Sequence, residues 1–237
     1  MRFLFFQTDL DLPMSRLLFL LPLLATLNTH AQVNVNRLGN NQIQSGNLIA
    51  TGAYTNYENQ PFIPQESVVG TLQTTTGKIY DAIALRYNAE RDLPEFQLGE
   101  NVYRVSFPVR EFILGDSTRP EAQRFRNGFA AVDNQTPASF YEVLYAGKSS
   151  LLKRTKAALL DVTSYNSATK QKRFDFNESY YVARPGAALV RVKRDKRSLL
   201  EALADKAPQV EAYLTREKLR LRDWADVASV LRFYDGL

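Results

Sequence analysis

From Ser67 onward, apolar and polar residues alternate with a period of two in short runs cut by turn residues, which is the signature of half-buried strands. Residues 68–74 and 78–87 flank Thr76-Gly77 and predict a hairpin. Further strands are predicted at 95–98, 102–107, 111–114, 123–130 and 140–145, then at 149–161, 172–176, 180–183 and 188–192. Gly99-Glu100-Asn101, Ala146-Gly147-Lys148 and Arg184-Pro185-Gly186 punctuate them as turns. Strands joined by such short turns predict an antiparallel meander rather than βαβ units.

Near residue 193 the period changes to that of a helix. Leu199, Leu200, Leu203 and Ala204 form one stripe, with Asp195 or Ser198 available as its cap. Val210, Tyr213 and Leu214 form a second, with Pro208 in the first turn, where proline is tolerated. Trp224, Val227, Ala228, Leu231 and Tyr234 form a third behind the N-cap Asp223, with Asp226 in the capping-box position. Trp224 is expected to be a packing anchor. The pattern predicts an α+β fold: an antiparallel β region over 51–192 and about three helices over 193–237, packed on one face or end of the sheet. Residues 32–50, rich in Asn and Gln without periodicity, are expected to form a flexible arm.

The first 31 residues do not belong to this pattern. Met14-Ser15-Arg16 is a short basic start, residues 17–27 are an apolar run, and Asn28-Thr29-His30-Ala31 offers a small residue for cleavage. These are the parts of a secretory signal peptide, and the run is shorter than the ~20 apolar residues of a membrane span. Asp9 and Asp11 place acid where a signal carries base, so translation is expected to begin at Met14, with residues 1–13 untranslated. The expectation is export to the periplasm or the exterior, with no membrane span once the signal is removed.

Composition sharpens the chemistry. The chain has no Cys, so no disulfide staples the fold and no thiol carries a lipid, which excludes a lipoprotein. Its one histidine, His30, lies before the expected cut. The mature chain then lacks the groups for Ser-His-Asp or Cys-His catalysis and for zinc held by imidazole or thiolate. No cofactor is expected. Charge is uneven: residues 32–147 carry 9 basic and 12 acidic side chains, whereas 148–237 carry 19 basic and 11 acidic.

Several strings invite a chemical reading. Gly147-Lys148-Ser149 resembles the end of a phosphate-binding loop, but Glu142 stands where that loop needs glycine, so a hairpin turn is expected. Asp81, Glu90, Asp92 and Glu95 cluster in sequence and would serve a glycosidase only if two faced each other at about 5–9.5 Å. Asp92 and Glu95 flank Pro94, so a solvated loop is expected there. Ser150 with Lys153, or Lys196 with Ser198, would be a Ser-Lys dyad, a pairing that basic chains produce by chance. Basic runs lie at 153–156, 170–173 and 191–197. For an exported chain they point away from nucleic acid and toward anionic lipid, lipopolysaccharide or acidic glycan. The expected contacts are Lys193, Arg194, Lys196 and Arg197.

In order along the chain, Ala31-Gln32, Gly52-Ala53-Tyr54, Phe62, Val69-Gly70 and Leu85-Arg86-Tyr87-Asn88 with Glu95 form a recurring set. Glu142-Val143-Leu144, Gly147-Lys148, Leu151-Leu152, Lys153-Arg154, Tyr180-Tyr181-Val182, Lys193-Arg194, Leu199-Leu200, Asp205-Lys206 and Arg232-Phe233-Tyr234 continue it. Together they resemble a family of secreted proteins of the Bacteroidota whose function is unassigned. The chain departs from that pattern at Ala183-Arg184-Pro185-Gly186 and Ala202-Leu203-Ala204, where more lysine is expected. The resemblance implies export and carries over no catalytic residue. The leading expectation is a non-enzymatic envelope or secreted binding protein. The alternatives are an envelope-polymer hydrolase working with the carboxylates of 81–95, or a structural part of an envelope assembly.

Overall fold

The structure, a computed structural model, describes residues 47, 48, 54, 57–163 and 170–237. The expected leader over 1–31 and the expected arm over 32–50 lie outside the described residues, except Asn47 and Leu48, which form a short strand rather than part of an arm. Eleven strands form one sheet. They are β1 (Asn47–Leu48), β2 (Phe62–Thr74), β3 (Ile79–Asn88), β4 (Leu93–Leu98), β5 (Asn101–Arg104), β6 (Val109–Leu114), β7 (Gln123–Arg126), β8 (Tyr141–Ala146), β9 (Ser150–Thr163), β10 (Lys170–Ala183) and β11 (Val190–Val192). The helices α1 (Lys196–Ala202), α2 (Ala207–Arg216) and α3 (Trp224–Asp235) follow, with one 3-10 turn at Ala204–Lys206.

The strand order is β1-β5-β4-β3-β2-β6-β7-β8-β9-β10-β11, and every ladder is antiparallel. The sheet is therefore two meanders sharing a seam: β2–β5 run one way, β6–β11 the other, and β2 pairs with β6 at the join. The α+β expectation holds. Two strands expected at 172–176 and 180–183 are one strand, because Asn177, Glu178 and Ser179 pair across to Lys156, Thr155 and Arg154. β7 stops at Arg126, short of residue 130, where Asn127 turns away and its side-chain amide donates to the Val109 carbonyl at 2.7 Å.

Successive residues of a strand face opposite sides of the sheet, so β9 feeds two cores. Leu151 joins Val182 and Val192 beneath Leu199, Val210, Leu214, Val227 and Leu231 of the helices. Leu152, its neighbour, packs with Tyr141, Tyr181 and Leu189. The helices thus cover one face at the β8–β11 end. Asp195 and Asp223 cap α1 and α3, accepting from the Ser198 and Asp226 amides.

A third core gathers Leu72, Leu85, Tyr87, Phe96, Phe112 and Phe125 with Ala157 and Phe174. The last two sit on the outer half of the β9–β10 hairpin, so the sheet curls back on itself. Among the contacts that hold the curl, the Ala157 amide donates to the Ala89 carbonyl at 3.0 Å, and the Asn59 side chain bonds both the amide and the carbonyl of Phe174.

Candidate anion-binding surface

Each of the carboxylates of 81–95 is engaged by other side chains of the protein. Arg86 and Glu95 stand directly opposite each other on β3 and β4. Glu95 is fully buried and takes the Arg86 guanidinium at 3.0 and 3.1 Å on one oxygen and the Asn88 amide at 2.8 Å on the other. Arg86 also lies 3.5 Å from the centre of the Phe62 ring. Asp92 accepts from Tyr87 at 2.8 Å, from the Phe140 amide at 3.2 Å and from Arg154 at 2.8 Å. Burial, with the Asp92 carboxylate beside it, pushes the Tyr87 phenol well above its ordinary pKa and keeps it a donor. Glu90 accepts from Tyr54 and Asp81 from Thr71. Glu95 is not in a solvated loop but on β4, paired with Arg86 of β3, and Asp92, in the β3–β4 turn, is held by Arg154 of β9, a strand distant in the sheet order. Among the described residues, no group of three or more potential metal-binding side chains gathers.

Gly147-Lys148-Ser149 is a turn, and it holds a carboxylate of the chain itself. Asp235, the last residue of α3, accepts from the Ser149 amide at 2.9 Å and from the Tyr145 hydroxyl at 2.9 Å. Glycine is required at 147 because a Cβ there would stand 2.2 Å from the Asp235 carboxylate. Neither Ser-Lys dyad forms. Ser150 and Lys153 are three apart on β9 and so face opposite sides, and Lys153 pairs with Glu142 at 2.6 Å. Ser198 instead accepts from the Lys193 amide at 2.9 Å, and Lys196 pairs with Glu211 at 2.6 Å.

The four expected contact residues sit where β11 runs into α1, and all are exposed. They divide into two pairs. Lys196 and Arg197 face α2 and their own helix, paired with Glu211 and Glu201. Lys193 and Arg194 have no carboxylate partner among the described residues. The Arg194 guanidinium instead donates to the carbonyl of Arg222 in the α2–α3 loop and lies 5.8 Å from the centre of the Trp224 ring. Trp224 stacks on Tyr180 of β10 at 3.6 Å between ring centres, the packing role expected of it.

That loop presents further cations for a mechanical reason. Leu221 is buried in the helical core, so Arg220 and Arg222 on either side of it are left exposed. The nearby acids are turned to backbone: Asp195 and Asp223 cap helices, and Asp226 accepts from the Arg222 amide at 3.0 Å. The Arg194 contact thus brings the exposed segment 193–194 against the loop that carries the exposed Arg220 and Arg222. Sequence reasoning missed Arg220 and Arg222, because nothing in the helical period encodes how the α2–α3 loop returns to β11. No protein-family model, curated protein or solved structure matches this chain.

Proposed function

We propose that the chain is an exported, non-enzymatic binding protein that meets an anionic component of the cell envelope. The observation that carries this reading is the contact of the Arg194 guanidinium with the Arg222 carbonyl, which joins the exposed basic segment 193–194 to the loop that carries the exposed Arg220 and Arg222. Export rests on the signal-like leader, and the resemblance to secreted proteins of the Bacteroidota agrees with it. The ligand chemistry is a phosphate- or carboxylate-rich surface: anionic lipid, lipopolysaccharide or acidic glycan. Arginine beside an aromatic ring suits such groups, because its planar fork matches their oxygens and its face stacks on the ring. A paired-carboxylate hydrolase draws no support from the cluster at 81–95, whose buried members are already occupied by arginine.

Sedimentation with vesicles tests the proposal, using the chain recovered from exporting cells. Binding to vesicles rich in phosphatidylglycerol, absent with phosphatidylcholine and weakening as salt rises, is expected, at about 1 kcal/mol per basic residue engaged. Reversing Lys193, Arg194, Arg220 and Arg222 to Glu abolishes it, while Lys196→Ala with Arg197→Ala has the smaller effect. Binding that ignores salt and survives the four reversals would dispose of the reading.

A further inference from the structure

A crevice at the other end of the sheet, between β4, β6 and the loop 127–138, has a volume of about 440 Å³, within the ~300–1,000 Å³ range of small-molecule sites. Leu93, Pro94, Phe107, Val109 and Phe140 give it an apolar lining. The lining is set in advance: Phe107 stacks on Tyr80 and Phe140 meets the Phe112 ring edge-to-face, each at 5.1 Å. Arg110 is the one charged residue that lines it, and no carboxylate does. Its guanidinium has no acceptor among the described residues. The adjacent acid, Glu111, faces the opposite side of β6 and is already held by Arg124 and Arg126.

The Arg110 side chain is exposed, and its guanidinium abuts Gly128 through Nη1, where a Cβ would come within 1.7 Å. Gly128 has φ +86, and its loop is tied down by its own amide on the Pro137 carbonyl at 2.7 Å. We infer that this crevice binds a small organic carboxylate with an apolar or aromatic body, the body against Phe107 and Phe140 and the carboxylate on Arg110. One guanidinium balances one carboxylate and offers it two parallel hydrogen bonds. A phosphate dianion would bring twice the charge that the site balances. The site is separate from the basic surface of β11 and α1.

The test is titration calorimetry of the full chain with 3-phenylpropanoate and its neutral amide. The acid is expected to bind at least tenfold more tightly than the amide. Arg110→Gln removes that preference while leaving the amide's affinity unchanged, and Ala138→Trp, filling the crevice, removes both. Reversing Lys193, Arg194, Arg220 and Arg222 changes neither, which separates this site from the proposed envelope contact. Absence of saturable binding, an acid preference that persists in Arg110→Gln, or its loss on the reversals alone would overturn the inference.

Discussion

Asp92 stands at φ +58, and its carboxylate collects Tyr87, the Phe140 amide and Arg154. Arg154 is 5% exposed, and its remaining hydrogens go to Gln135, Tyr87 and the Thr155 carbonyl. Asp92→Asn isolates the charge in this network. Asparagine tolerates the left-handed backbone, and its oxygen still accepts from Tyr87 and Phe140. Its amide then faces the guanidinium, donor against donor. Removing one partner of a buried ion pair costs about 3–5 kcal/mol, because the remaining charge stays buried without compensation. The Asp92 side chain is 21% exposed, so some water reaches the pair and the lower end, about 3 kcal/mol, is expected.

Urea unfolding followed by circular dichroism reads this directly. At a slope of about 1–3 kcal/mol/M, the midpoint falls by roughly 1–3 M with the slope unchanged. Asp116→Asn, at an exposed carboxylate, leaves it where it was. Adding Arg154→Met to Asp92→Asn removes the stranded charge, so the double variant is more stable than Asp92→Asn alone. A single variant within about 1 kcal/mol of the parent, or a double variant whose cost is the sum of the two singles, would refute the reasoning.

The Tyr141 hydroxyl is buried without a partner among the described residues, so Tyr141→Phe is expected to leave the thermal midpoint unchanged or raise it, whereas Tyr87→Phe, which breaks bonds to Asp92 and Arg154, lowers stability by about 1.5–3 kcal/mol. Burial raises the Tyr141 phenol to about 12 and Tyr87 well above 10. Their folded pKa values exceed the unfolded ones, so the stability they contribute is complete below about pH 10 and is lost as pH rises from there through 12. Phenolate absorbance at 295 nm should then appear in part only with unfolding, and ionisation of all twelve tyrosines near pH 10 in a folded chain would contradict this. Gly147→Ala drives a Cβ against Asp235 and the Tyr145 hydroxyl, an overpacking cost of about 1–3 kcal/mol, with faster amide exchange at the end of α3; unchanged exchange there would show that the turn does not anchor the helix.

What the sequence made legible is what short-range pattern encodes. Period-two alternation located the strands, period 3.6 located the helices, and Asp195 and Asp223 announced their caps. The polar stretch Asn177-Glu178-Ser179 read as a break because its pairing is supplied by β9, some twenty residues back, rather than by its own alternation. The β2–β6 seam was equally hidden, since the loop between β5 and β6 carries no sign of which edge the chain rejoins. Glu95 was recoverable in principle. Setting the register of the β3–β4 hairpin places Arg86 opposite it, and a paired carboxylate on a half-buried face is a structural one.

The charge asymmetry between the two parts of the chain looks different once partners are assigned. Among the described residues, three of the C-terminal cations are matched by acids of the N-terminal part, and others by acids of their own part. Lys153 and Arg154 neutralise Glu142 and Asp92, Arg191 meets Asp133, Arg184 meets Asp205, and Lys196 and Arg197 meet Glu211 and Glu201. Within the basic run at 191–197, these assignments leave Lys193 and Arg194 as the cations without a carboxylate among the described residues. Of these, Arg194 reaches the α2–α3 loop at the carbonyl of Arg222. A net charge of +8 spread over ninety residues would attract any polyanion weakly and without orientation. Under the proposed reading, the exposed cations of 193–194 and of the adjoining α2–α3 loop would instead give a side from which an anionic surface is approached, while the paired arginines and lysines serve the fold.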